Sequence, residues 1–348
     1  MRKTVLLEFA TEWHAKATGK KQRIKFKEIV DILFLGTSAG APTRQRNVTG
    51  LALLPDQGSE WYLVDCGEAT QHQILHTTLS IHGLQAIFIT HVHGDHCYGL
   101  PGLLASAAMH GRKMPLHIIA PAGIQHWLQV THAMSESFLP YELIFTDVEN
   151  MDVWQDHAVT VRAIKLSHRV SSHAYRFSEN HTEAVLDTAK LQTEGIPAGP
   201  LWGRLKKGED VIHEGKKLVS HDYLHHPYPL RSIIVGGDND APGLLLEASQ
   251  QAHVLVHEAT YTEEVAEKVG ARVQHCSAAA VASFAATAAL PNLVLTHFSA
   301  RYQHDSERSP FIGDIETEAR AHYQGNLFLA EDFARFRLDK TGVLSRIA

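Results

Sequence analysis

The chain has 348 residues, 44% of them hydrophobic and 20% charged, enough to bury a large core in one or two domains. Its formal net charge of −6 excludes a globally basic coat for nucleic acid and leaves only a local basic patch for that role. No stretch reaches the roughly 20 apolar residues of a membrane helix, and the run Val5 to Leu7, broken by Glu8, is too short for a secretory leader. The expectation is a cytoplasmic protein with no membrane partner.

In chain order, residues 1–29 are rich in Lys and Arg and read as an N-terminal basic appendage to a single domain over 30–348. Ile29 to Leu35 reads as a buried strand ended by Gly36. Leu51 to Leu54 and Trp61 to Val64 read as strands around the turn Pro55-Asp56-Gln57-Gly58. Ala86 to Thr90 is a further strand, followed by a sharp turn at Gly94 and a helix over Leu100 to Met109. Leu116 to Ile119 predicts a strand, Ile124 to Met134 a helix, and Tyr141 to Phe145 and Val159 to Leu166 two more strands. Residues 178–225 are polar and irregular, with closely spaced Gly and Pro, and read as a protruding insertion. Strands resume at Ser232 to Val235 and Val254 to Val256, then a helix over Ser277 to Ala289 and a strand over Leu293 to Leu295. Strands alternating with helices predict an α/β layered fold.

Histidine is the compositional outlier, with 25 copies. The three cysteines, Cys66, Cys97 and Cys276, have no paired spacing and read as small buried residues in a reducing compartment. The histidines of interest begin at a strand end, where His91, His93, Asp95 and His96 fall within six residues. A strand end followed by a Gly turn lets several side chains converge. Imidazole nitrogens and carboxylate oxygens suit zinc, and the mixture suits a pair of such ions. Four ligands cannot fill two tetrahedral sites, so others must come from elsewhere. His168, Asp238 and His297 each follow a predicted strand, and their recurrence at corresponding places makes them the candidates.

His91-Val92-His93-Gly94-Asp95-His96 resembles the metal-binding motif of the metallo-β-lactamase superfamily. More narrowly, the chain resembles the ribonuclease Z family of tRNA 3′-processing endonucleases from about Asp31 to Tyr302. The narrowing rests on Gly195-Ile196-Pro197-Ala198-Gly199-Pro200, His257-Glu258-Ala259-Thr260 and Ser299-Ala300-Arg301-Tyr302. The resemblance implies a four-layer αββα sandwich with a protruding exosite arm. It implies two Zn2+ per chain, Mn2+ or another divalent metal being compatible. His91, His93 and His168 would hold one ion, Asp95, His96 and His297 the other, and Asp238 would bridge them.

Two cations sharing one water activate it and stabilise both oxygens of an in-line phosphodiester displacement. On the family pattern Asp95 would also steer the water's proton. His275 would contact the scissile phosphate or protonate the leaving oxygen, oriented by Glu258. Arg301 is a phosphate-contact candidate, with a structural ion pair between Glu258 and Arg301 as the alternative. The arm would grip the body of a precursor tRNA through Arg204, Lys206 and Lys207 without reading sequence. The family pattern is departed from at Asn239, where Thr is usual, and at Cys276. Family members of this size imply a homodimer. The implied activity is endonucleolytic removal of the 3′ trailer from precursor tRNA. The alternatives are a small-molecule or cyclic-nucleotide phosphodiesterase or a 3′ exoribonuclease on the same centre, and a non-catalytic RNA-binding module.

Overall fold

The computed structural model describes residues 29–55, 59–303 and 309–348. The expected basic appendage lies outside them apart from Ile29, as do Asp56, Gln57 and Gly58 of the expected turn.

Two mixed sheets face each other. The first has eight strands, in the order Leu344–Arg346, Arg335–Leu338, Ile29–Gly36, Gly50–Pro55, Trp61–Val64, Leu84–Phe88, Leu116–Ala120, Leu143–Asp147. The second has seven, in the order Asn326–Leu329, Asn292–Thr296, Val254–Glu258, Ser232–Val235, Ser172–Glu179, Val159–Leu166, Trp154–Gln155. The last four strands of the first order run parallel to one another, as do the first four of the second. Parallel neighbours need crossover connections, and helices supply most of these on the outer faces.

Burial explains why these strands read as apolar runs rather than as alternating patterns: both faces of each sheet are covered. Ala86 and Phe88 point into the cluster between the sheets, with Val235, Val256 and Val294 opposite. Ile87 and Ile89 point outward, into a cluster with Leu103, Leu104, Ile124 and Leu128 of the helices Leu100–Met109 and Ala122–Met134. Ile234, Leu255 and Leu293 point outward from the second sheet against Val281, Ala285 and Ile315 of the helices Ala278–Thr287 and Ile312–His322. The result is helix, sheet, sheet, helix, the expected four layers.

The predicted strands over 159–166 and 232–235 match the structure. The strand predicted from Tyr141 begins at Leu143, after Leu139 and Tyr141 have packed on the helix side. Ser172–Glu179 and the three C-terminal strands escaped the sequence reading. Ser172–Glu179 carries His, Arg and Ser among its apolar residues, and Arg335–Leu338 alternates Arg with Phe and Leu because Arg335 and Arg337 pair with Asp31 across the strand.

The inserted segment runs between Glu179 and Ser232, and it is not irregular. Val185–Leu186 pairs antiparallel with Leu224–His225 at its neck. Beyond the neck lie the helices Thr188–Thr193 and Pro200–Lys206 and a hairpin of Val211–His213 with Lys216–Leu218. These enclose a small apolar cluster of Leu191, Ile196, Leu205, Val211, Leu218 and Tyr223. At the root, the Arg231 guanidinium donates to both Glu179 oxygens, at 3.0 Å from Nε and 2.7 Å from the second terminal nitrogen. The Arg231 amide donates to Glu179 at 2.9 Å, and the remaining guanidinium nitrogen donates to the Leu338 carbonyl at 2.7 Å. Both side chains are buried.

Candidate metal centre

The centre forms at one end of the sandwich, where strands from both sheets finish. The strand Leu84–Phe88 leads into His91, His93, Asp95 and His96; Val159–Leu166 leads into His168, Ser232–Val235 into Asp238, and Asn292–Thr296 into His297. The close approach of these loops requires small residues. A Cβ on Gly237 would stand 2.6 Å from Thr90 Cβ, so only glycine lets the Asp238 loop sit against the His91 loop. His297 and Asp65 have left-handed backbones, with φ of 57° and 59°. Strain of this kind persists where the surroundings over-determine it.

All seven sequence-predicted metal residues come together, in two groups. His91 Nε2 and His168 Nε2 lie 3.1 and 3.2 Å from His93 Nδ1, and both face Asp238 Oδ2, at 3.6 and 3.7 Å. His96 Nε2 and His297 Nε2 lie 3.2 Å apart, and Asp95 Oδ2 lies 3.5 and 3.4 Å from them. Both face the other oxygen, Asp238 Oδ1, at 3.3 Å. Donors around one tetrahedral ion with bonds of about 2.0–2.2 Å stand about 3.3–3.6 Å from each other. The donor set therefore has the spacing of a metal site on each side of Asp238.

The electrostatics differ between the two sides: on the second, burial works to lower His96, but the Asp238, Asp65 and Asp95 carboxylates prevail and raise it well above the ordinary histidine range. Burial pushes His91, His93 and His168 below the ordinary histidine range, which leaves them as neutral lone-pair donors. Asp238 is buried, which alone would raise its pKa, but the His297, His96 and His91 rings around it hold it well below the carboxylate range. A buried anion so placed calls for a cation.

Further residues orient the ligands. His96 Nδ1 donates to Asp65 at 2.7 Å, and Asp65 also accepts from the Thr90 amide at 2.8 Å and the Thr90 hydroxyl at 2.9 Å. Thr90 Oγ1 lies 3.0 Å from His91 Nδ1, so the same hydroxyl accepts from that ring. His168 Nδ1 donates to the Gln274 carbonyl at 2.9 Å. His297 Nδ1 meets Thr260 Oγ1 at 3.0 Å, and Thr260 in turn donates to Glu258. Each bond turns Nε2 toward the centre in the metal-binding tautomer. Asp65, Thr90 and Thr260 were not singled out as ligand supports from sequence; the signal available was their position directly at strand ends.

His275 stands beside the centre, with Nδ1 3.0 and 3.2 Å from the two Glu258 oxygens and 3.8 Å from Asp238 Oδ2. Burial works to lower its pKa, yet the Glu258 carboxylate prevails and raises it to about 9. Glu258 is itself buried and is held below its usual range by His275, against the opposing effect of burial. Asn239 is fully buried and satisfied: its amide nitrogen donates to His257 at 3.0 Å, and its carbonyl accepts from Ser167 and Ala241, both at 3.2 Å. It ties the His168 loop to the Asp238 loop. Cys66, Cys97 and Cys276 are free and buried, and burial pushes each thiol up.

The remaining site residues expected from sequence do not reach the cluster. The Arg301 guanidinium lies over the Tyr261 ring, 5.2 Å from its centroid, and that ring stands edge-on to His275 with centroids 6.0 Å apart. Arg204, Lys206 and Lys207 belong to the inserted segment. Arg204 pairs with Glu209 at 3.0 Å and Lys206 with Glu183 at 3.5 Å, while Lys207 is exposed. Lys216 and Lys217 likewise pair with Glu194 and Asp210, so the segment offsets much of its own positive charge. Among the described residues no helix is long and apolar enough to cross a membrane.

A family model described as the Anti-Pycsar protein Apyc1 matches residues 30–180, less than half of the chain. The solved structure of human tRNase Z, short form, aligns with a TM-score of 0.61 at 23% identity, covering 88% of this chain and 98% of that one. A metallo-β-lactamase fold protein of Bacillus subtilis aligns with a TM-score of 0.61 at 17% identity, covering 89% of this chain and 100% of that one. These likenesses establish the fold. The ribonuclease Z of Pseudomonas putida strain W619 is 54% identical over 318 residues, 91% of this chain and 99% of that protein. With the metallo-β-lactamase fold, a His/Asp metal centre and that degree of identity over nearly the whole relative, the chain belongs to the ribonuclease Z family.

Proposed function

We propose that this protein removes the 3′ trailer from precursor tRNA by endonucleolytic cleavage that leaves a 3′-hydroxyl. The observation that carries the reading is Asp238, whose two oxygens face two separate donor groups. His91, His93 and His168 would hold one ion, Asp95, His96 and His297 the other, with Asp238 between them. The nitrogen-rich donor set favours Zn2+, and Mn2+ or another divalent ion is compatible with it. Bound there, the pair would supply a hydroxide-like nucleophile at neutral pH and charge stabilisation for the phosphodiester.

The chain's own residues do the rest. Asp95 Oδ2 faces both His96 and His297, and the Gly40 amide donates to that oxygen at 2.7 Å and keeps it turned inward, which leaves the outer oxygen, Oδ1, to take the water's proton. His275, kept protonated by Glu258, donates a proton to the leaving oxygen. Arg301 contacts the RNA backbone from beside Tyr261.

The inserted segment serves as the exosite arm, and its stiffness comes from the internal apolar cluster. Since Arg204 and Lys206 are paired within the arm, we assign them a dual role: they hold its shape and exchange partners with phosphates when RNA docks, while Lys207 meets phosphate directly. The protein acts in the cytoplasm as a homodimer. Support for the dimer is a groove of about 490 Å3 between the helices Thr70–Leu75 and Leu100–Met109, lined in part by Leu75, which is 74% exposed.

The deciding experiment incubates the purified, metal-loaded protein with 3′-extended precursor tRNA and maps products at nucleotide resolution. A single cut at the trailer boundary is expected. A ladder of shortened trailers would favour an exoribonuclease, and turnover of small or cyclic phosphodiesters alone would favour the small-substrate reading.

A further inference from the structure

Tyr98 lies two residues after His96 and is 64% exposed. Its ring covers Gly94, the residue between His93 and Asp95: a Cβ built on Gly94 would meet three atoms of that ring at 2.3, 2.5 and 2.7 Å. Glycine at 94 is therefore explained by the aromatic ring upon it, not by an unusual backbone angle. Beside Tyr98 stands Trp127, with ring centroids 6.0 Å apart and planes tilted by 42°. Trp127 is half-buried and anchored on the apolar cluster beneath the helix Ala122–Met134.

A large exposed aromatic is an uncommon neighbour for a centre made of histidines and aspartates. It stabilises little by burial, because most of its surface stays in water. It does offer a rigid face, backed by a second ring, at the rim of the centre. Single-stranded RNA is held in just this way, each base having a π-face that stacks on aromatic side chains with little regard to sequence.

We propose that Tyr98, backed by Trp127, is a stacking platform for the first base of the trailer, on the 3′ side of the scissile phosphate. The inference rests on the proposed tRNA-processing function and deepens it. The trailer base is the fitting occupant, because bases of the acceptor stem are already stacked in the duplex and the trailer's are not. Tyr98 is thus a positioning residue that fixes the chain leaving the centre, and its tolerance of any base suits trailers of varied sequence.

The test is a cycle of two changes, Tyr98→Ala in the protein and an abasic nucleotide at the first trailer position in precursor tRNA. Each alone should raise KM on the order of 10-fold, the lower part of the range for one base stacked on an aromatic side chain. Together they should cost no more than either alone, because both remove the same contact. Tyr98→Phe should restore wild-type KM, and Tyr98→Leu, which still covers Gly94, should not. Losses that multiply in the double change, or a KM unmoved by Tyr98→Ala and Tyr98→Leu, would overturn the platform while leaving the tRNA-processing function standing. A wild-type protein that fails to cut precursor tRNA would overturn both.

Discussion

Replacing Arg231 by Met should destabilise the whole domain and loosen the arm first. Arg231 and Glu179 close the root of the inserted segment, and both are buried. In Arg231→Met the Glu179 carboxylate loses two guanidinium donors, and the Leu338 carbonyl loses its donor at 2.7 Å. Breaking a buried pair from one side costs about 3–5 kcal/mol, since the partner charge is left uncompensated. The Arg231 amide at 2.9 Å still donates to Glu179, which places the expected loss near the lower end of that range. At an unfolding entropy of about 2.1 cal/mol/K per residue, about 3 kcal/mol in a domain of this size corresponds to a fall in Tm of roughly 4–5 °C.

The assay is thermal unfolding by near-ultraviolet circular dichroism, with limited proteolysis to locate the first cuts, expected between Glu179 and Ser232. The companion variant Glu179→Leu/Arg231→Met leaves no buried charge and should recover at least half of the loss, because apolar residues of similar size often replace a buried pair without penalty. A single variant within 2 °C of wild type, or a double variant no more stable than the single, would refute the account (that threshold is about 1.5 kcal/mol).

Four further outcomes follow from the centre and the arm. Asp238→Ala should leave both donor groups without their shared anion, and elemental analysis should find its metal content well below the two ions expected of wild type; retention of both ions would count against the bridge. His275→Ala should fold, keep its metals and lose turnover by roughly 10²–10⁴-fold. Glu258→Gln removes the carboxylate that raises His275 to about 9, so the alkaline limb of the pH–rate profile, where an acid is lost as pH rises through its pKa, should move to lower pH; an unmoved limb excludes His275 as the acid. Replacing residues 187–223 by a short Gly-Ser bridge between the paired Leu186 and Leu224 should raise KM for precursor tRNA with metal content unchanged, and an unchanged KM would mean that the arm is idle.

The legibility of these features in the sequence follows from how local their chemistry is. His91 to His96 is readable because four donors share one turn, and His168, Asp238 and His297 are readable because each follows an apolar run. The supports Asp65, Thr90 and Thr260 are small polar residues that link a near neighbour or a ligand to a group far along the chain, as Asp65 joins Thr90 and His96 and Thr260 joins Glu258 and His297, and no periodicity marks them. The arm's cluster was hidden for a related reason. Leu191, Ile196, Leu205, Val211, Leu218 and Tyr223 come from two short helices, a hairpin and a turn, so their spacing follows neither a strand nor a helix period. Among the sheets, the buried parallel strands were visible as apolar runs, whereas Arg335–Leu338 was masked by charges that matter only once Asp31 lies alongside.

The origin of the seven clustered donors has a consequence for assembly. Four come from the turn after Leu84–Phe88, in the first sheet, and three from strand ends of the second. Neither sheet alone completes either donor group, since His168 and Asp238 must join His91 and His93, and His297 must join Asp95 and His96. Ions bound here would act as rivets across the seam of the sandwich, on top of the apolar packing between the sheets. They would bind the docked state and not the separated one, so metal supply and the closure of the two halves are thermodynamically linked. A cell that withholds the metal would be left with a sandwich held at that end by histidines and carboxylates alone.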